Sequence, residues 1–143
     1  MVKASLLHDI KRLDIDIFRG ITRRYKKMNL DLTPMHAKIL LRLNESDKLL
    51  CQKDLEEFIS CNKSTLSSII STMEKNDLLT REVSKQDSRI NYLVVSEKGK
   101  ELINFLKEDQ LILEDIINEG ITDDEYQTFS KIVDKVRKNI ERI

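Results

Sequence analysis

Tryptophan is absent from the sequence, proline occurs once and glycine three times. So few turn formers disfavour a sheet-rich barrel and favour long helices. Two cysteines are no disulfide framework, and a reduced, cytoplasmic compartment is the expected setting. The apolar runs are short, far below the ~20 residues that span a bilayer, so no membrane segment is expected. Nor does a basic patch followed by an apolar run open the chain, as a secretory signal would require. The only histidines are His8 and His36. With no spaced set of His, Cys and carboxylates around them, no metal site is expected. There is no Gly-rich phosphate loop, nucleophile elbow or suggestively spaced Cys/His pair, so neither an enzyme nor a bound cofactor is expected.

What the chain has is charge and apolar periodicity. Charged residues make up 35% and apolar residues 40% of its 143 positions, enough for one domain with a real core. Net charge is zero, which by itself argues against a nucleic-acid partner, but the charges are unevenly spread. Residues 1–50 carry eleven Lys/Arg against six Asp/Glu, residues 51–100 eight of each, and residues 101–143 six against eleven. A basic front and an acidic tail suit a DNA binder, because the local field outweighs the sum.

Along the chain, Leu6, Ile10, Leu13, Ile17 and Ile21 recur at steps of three and four and predict a helix over about 5–28. Arg19, Arg23, Arg24, Lys26 and Lys27 complement the negative end of its dipole. Thr33 and Pro34 predict a capped second helix, with Ile39, Leu40 and Leu43 inward. A short third helix over about 52–59 turns Leu55, Phe58 and Ile59 inward. After the break at Ser60-Cys61-Asn62, a fourth helix over about 63–76 buries Leu66, Ile69, Ile70 and Met73. Two helices joined by so short a polar turn form a helix-turn-helix. The runs Leu79–Val83 and Arg89–Val95 flank a polar tip and read as a β-hairpin, or wing. Ser96 can cap a fifth helix over about 97–118, and Gly120 stops it. Thr122 and Glu125 form the capping box of a last helix carrying Tyr126, Phe129, Val133, Val136 and Ile140. The fold class is therefore mainly α with a small β-hairpin wing: a winged helix-turn-helix over about 32–96 within one domain, 1–143. The outer helices, about 5–28 and 97–143, exceed what that core needs, and a second copy is the economical partner for their apolar stripes.

The fourth helix has the most informative surface. No acidic residue occurs from Phe58 to Met73, although Asp and Glu fill 25 of the 143 positions. Its outward side chains are Lys63, Ser64, Ser67, Ser68, Ser71 and Thr72, with Thr65 on the flank. Such a face can lie against phosphates and donate to them and to base edges. It lacks an Arg or Gln for a bidentate base contact. Around the hairpin, Lys85 and Arg89 can present cations to a minor groove. Asp87 is better suited to holding the tip, paired with either Arg81 or Arg89. Cys51 and Cys61 each have a lysine two residues away, so an oxidant-sensing thiol is one reading and a small core hydrophobe the other.

The ordered set Leu32-Thr33-Pro34, Gln52-Lys53-Asp54-Leu55, Asn62-Lys63-Ser64-Thr65-Leu66 and Met73-Glu74-Lys75-Asn76-Asp77-Leu78-Leu79 resembles the MarR family of transcriptional regulators. Arg81 with Asp87-Ser88-Arg89, and Ser96-Glu97-Lys98-Gly99, extend the resemblance across residues 6–140. It implies a homodimer built from the first, fifth and last helices, with 62–76 as recognition helix. It gives Asp87 the ordering of the wing and Arg89 the minor groove. It also implies an effector pocket between the first, second and fifth helices, which His36 would line, for a small phenolic or other lipophilic ligand. The chain departs from the family in having Asn76-Asp77 where a glycine is usual, and in lacking a recognition-face arginine. Asn and Asp tolerate the left-handed backbone such a turn requires. The expected function is thus that of a homodimeric, sequence-specific regulator, a repressor on a pseudo-palindromic double-stranded operator, released by a small molecule or an oxidant. The competing class is a winged-helix module that binds another regulator and not DNA, which the balanced charge of residues 51–100 favours.

Overall fold

Thr33 begins the helix that anchors the core. In the computed structural model, which describes residues 5–143, it caps α2 (Pro34–Glu45) by accepting the His36 N–H at 3.1 Å. The imidazole Nδ1 of His36 accepts the Thr33 N–H at 3.3 Å in return, so a histidine completes the capping box. Before it, α1 (Leu6–Lys27) starts at Ser5 and ends where Asn29 turns left-handed, at φ 56°. After it come β1 (Leu50–Cys51), α3 (Gln52–Phe58), α4 (Lys63–Lys75), β2 (Leu79–Val83), β3 (Asn91–Val95), α5 (Glu97–Asn118) and α6 (Asp123–Ile140).

The chain divides into two compact units, one ending at Leu106 and the other Lys107–Ile143. In the first, the fully buried side chains come from each element of the helix-turn-helix. They are Ile39 and Leu40 of α2, Leu55 of α3 and Ile59 just after it, Leu66, Ile70 and Met73 of α4, and Leu78 and Leu79 at the start of the wing. Burying side chains of this size stabilises by about 1.5–3 kcal/mol apiece before the ordering entropy is subtracted. The stripe at Leu66, Ile70 and Met73 fixes which side of α4 faces outward.

The sheet has three antiparallel strands in the order β1-β3-β2, with Leu93 paired to Leu50 on one side and Arg81 on the other. Only the hairpin was legible as strand; a two-residue β1 is too short to show periodicity. Phe58 also differs from expectation. Its ring is 44% exposed, with Lys38 Nζ and Arg42 Cζ each 5.1 Å from its centroid. Cation–π contact with the two bases of α2 holds the ring at the surface in place of core burial.

Asp77 takes up the left-handed position after α4, at φ 60°, a backbone conformation that otherwise favours glycine. The junction is then closed by α5. Ser96 donates its hydroxyl to the Asp77 carbonyl and its N–H to the Leu78 carbonyl, and accepts the Gly99 N–H at 3.0 Å. Lys98 Nζ donates to the Asn76 carbonyl at 3.0 Å. The end of α4 is thereby tied to the start of α5 by main-chain and side-chain bonds alike. In the second unit, Gly120 is left-handed at φ 78° and Thr122 with Glu125 forms the expected capping box.

Within the single chain the apolar stripes of the outer helices are open. Leu6, Ile10, Leu13 and Ile17 of α1 are 41–53% exposed, and Tyr126 and Phe129 of α6 are 55% and 56% exposed. Ile112, Ile116 and Ile117 of α5 are likewise exposed.

Candidate nucleic-acid interface

Asn62 sets the start of α4. Its Oδ1 accepts the Thr65 N–H at 2.8 Å and the Ser64 hydroxyl at 2.9 Å, satisfying a free amide of the first turn. With the apolar stripe inward, Lys63, Ser64, Thr65, Ser68, Ser71 and Thr72 are exposed and Ser67 is half-buried. The structure thus gathers every recognition-helix residue picked out by sequence onto one element. Glu74, the only carboxylate of α4, is held by Arg81 Nε at 3.4 Å, and Arg81 Nη2 donates to Ser71 Oγ at 3.3 Å. Strand β2 of the wing is therefore fastened to the exposed side of α4.

That geometry corrects the place given to Arg81. Of the two partners open to Asp87, Arg89 is the one it has, while Arg81 sits at the root of the wing on Glu74 and Ser71. At the tip, Asp87 takes Arg89 Nε and Nη2 on its two oxygens, at 3.1 Å each, and the Arg89 N–H at 3.0 Å. These bonds hold the Asp87 carboxyl below the usual carboxylate range, the Arg89 side chain being the larger cause and its N–H the second. The Arg89 side chain is 88% exposed, and Nη1 remains for a ligand. Lys85, in the same hairpin tip, is exposed as well. Sequence reasoning missed Ser84, which is buried and accepts the N–H groups of Gln86 and Asp87 at 3.3 Å each. A serine at the first position of a polar tip is a recognisable turn former, so the signal was present.

The two cysteines are free and half-buried. The Cys51 thiol donates to Asp54 Oδ2 at 3.3 Å, and the Cys51 N–H bonds the same oxygen at 2.9 Å. Cys61 packs against the core.

A cavity of about 640 Å³ opens between the α1–α2 loop, the α4–β2 turn and α5, lined by Leu30, Leu32, Leu78, Lys98, Leu102 and Phe105 among others, and His36 does not line it. Its ring is turned back onto the Thr33 amide. Burial lowers the His36 pKa below its ordinary 6.5, opposed by the charge of Asp31. Since the unfolded chain takes up this proton first, stability should be full above about 6.5 and fall as pH drops below it. His36→Gln keeps a capping-box acceptor and should flatten that part of a stability-against-pH curve measured by urea unfolding. An unchanged curve would refute the assignment.

Among the described residues no group of His, Cys, Asp and Glu could hold a metal ion, and no helix is long and apolar enough to cross a membrane.

With this geometry in hand, comparison with known proteins finds three kinds of likeness. The MarR family model matches residues 32–90. The uncharacterized HTH-type transcriptional regulator YybA of Bacillus subtilis is 30% identical over 114 residues, covering 80% of this chain and 75% of that protein. Among solved structures, a MarR protein from Peptoclostridium difficile superposes with a TM-score of 0.81 at 21% identity, over 99% of this chain and 91% of that one. A MarR-family regulator from Listeria monocytogenes, solved with a 26-mer DNA, gives a TM-score of 0.77 at 22% identity, over 96% and 90%.

Proposed function

The chain belongs to the MarR family of transcriptional regulators, and on that premise we propose that it is a sequence-specific double-stranded DNA-binding repressor acting as a homodimer. The observation that carries this reading is the exposed, carboxylate-free face of α4 from Lys63 to Thr72, with β2 tied to its side through Arg81. A helix of this kind fits the major groove, where Lys63 and the hydroxyls of Ser64, Thr65, Ser67, Ser68, Ser71 and Thr72 meet phosphates and base edges. Arg89, with Lys85 of the same tip, enters the adjacent minor groove, held by Asp87. Zero net charge is no obstacle, since the carboxylate of α4, Glu74, and that of the hairpin tip, Asp87, are each paired with an arginine.

The exposed apolar stripes of α1, α5 and α6 support the dimer. Leaving so many Ile, Leu and Phe side chains in water is costly, and an isologous contact with a second copy covers them. Two protomers then place two recognition helices about one duplex turn apart, ~10 bp. A small lipophilic effector that binds one spacing of the two lobes better than the other releases the operator.

Selection from random duplex DNA tests the reading. The expected product is an inverted repeat with half-site centres ~10 bp apart. Failure to enrich any duplex would favour the protein-interaction module instead, and enrichment of a single unrepeated site would remove the dimer.

A further inference from the structure

The hydroxyls on the exposed face of α4 are not equivalent. A hydroxyl has one hydrogen to donate and two lone pairs to accept with. Thr72 Oγ1 donates its hydrogen to the Ser68 carbonyl of its own helix at 3.1 Å. Towards solvent it offers lone pairs alone. Ser64 is in the same condition, its hydrogen held by Asn62 Oδ1. Ser71 is the reverse: Arg81 Nη2 donates to its oxygen, which leaves the Ser71 hydrogen free to point outward. Adjacent residues of the recognition helix therefore present opposite polarity, a donor at 71 and an acceptor at 72.

Phosphate oxygens accept and cannot donate, so an acceptor-only Thr72 gains nothing from the DNA backbone. In the major groove the donors are the exocyclic amino groups, N6 of adenine and N4 of cytosine, while guanine and thymine present acceptors there. We propose that Thr72 is a specificity-determining residue that reads an adenine or cytosine amino group, and that Arg81 is a positioning residue that fixes Ser71 as a donor to a base or phosphate acceptor. The inference rests on the proposed docking of α4 in the major groove. It assigns sequence selectivity to a helix whose exposed face has no Arg or Gln with which to achieve it.

Selection from random duplexes with the full-length wild type, Thr72→Val, Arg81→Ala and Arg81→Lys tests the assignment, each variant first checked for an unaltered thermal transition. For the wild type, one position of each half-site should be restricted to adenine or cytosine. Thr72→Val keeps the volume and loses the lone pairs. It should relax that position alone, by about tenfold, the equivalent of one hydrogen bond. Removing the amino group from the DNA, as purine for the selected adenine or 2-pyrimidinone for the selected cytosine, should weaken the wild type about tenfold and Thr72→Val hardly at all. Arg81→Ala should broaden a second position, the one met by Ser71, and Arg81→Lys should restore it. Uniform weakening of Thr72→Val across all sequences, or a wild-type preference for thymine or guanine at the position it relaxes, would overturn the assignment while leaving the DNA-binding reading intact. A wild type that enriches no duplex would overturn both.

Discussion

Arg89→Ala is expected to weaken operator binding about 100-fold per dimer, from about 1.4 kcal/mol at each of two wings. The guanidinium is 88% exposed and clamped by Asp87 through Nε and Nη2, so it is held in one orientation with Nη1 outward. A pre-oriented cation loses little rotamer freedom on binding, and a minor groove concentrates the negative potential it meets. Fluorescence anisotropy across a salt series reads the loss. The variant should also give a shallower dependence of log K on log salt, because fewer counterions are released. An unchanged affinity and slope would place the wing away from DNA.

Gly99→Ala carries the largest expected effect on the fold. A Cβ there would fall inside contact distance of the Leu78 carbonyl oxygen and 2.7 Å from Val95 Cγ1. Neither neighbour can give way cheaply. The Leu78 carbonyl is main chain and already accepts the Ser96 N–H at 3.1 Å, and Val95 lies in β3 opposite Leu79. Overpacking of this kind costs about 3 kcal/mol, which lowers the midpoint of thermal unfolding by roughly 10 °C in a chain of this size. Gly120 provides the contrast. A Cβ there meets nothing within 4 Å, but the residue is left-handed at φ 78°. Gly120→Ala should therefore cost only the backbone strain, about 1–2 kcal/mol. Calorimetry of the two variants separates the mechanisms, and equal losses would contradict the close packing of α5 on the α4–β2 turn.

The helices and hairpin were readable because their signals are local: Thr33 and Pro34 for α2, Thr122 and Glu125 for α6, and the stripe at Leu66, Ile70 and Met73 for α4. Strand β1 was not, since its two residues acquire strand geometry only by pairing with Tyr92 and Leu93 far along the chain. Asp87 shows the same limit at the site. Two arginines were open to it, and only the register of β2 against β3 decides between them, carrying Arg81 to Leu93 and on to Glu74. The capping role of His36 was not legible because a histidine at the third position of a helix can stand where Glu or Gln closes a capping box, and only its ring orientation reveals this. The inward assignment of Phe58 failed for a related reason, as periodicity does not register the two cations of α2 that hold the ring outside.

The central claim is that α4 and the Arg89 tip of one protomer engage neighbouring grooves of one duplex. Methylation protection by dimethyl sulfate on a selected operator reads both grooves at once, through guanine N7 in the major and adenine N3 in the minor. Protection of both in each half-site, with Arg89→Ala abolishing the minor-groove signal and sparing the major, is the predicted result. Minor-groove protection that survives Arg89→Ala, or half-sites protected in neither groove, would contradict it.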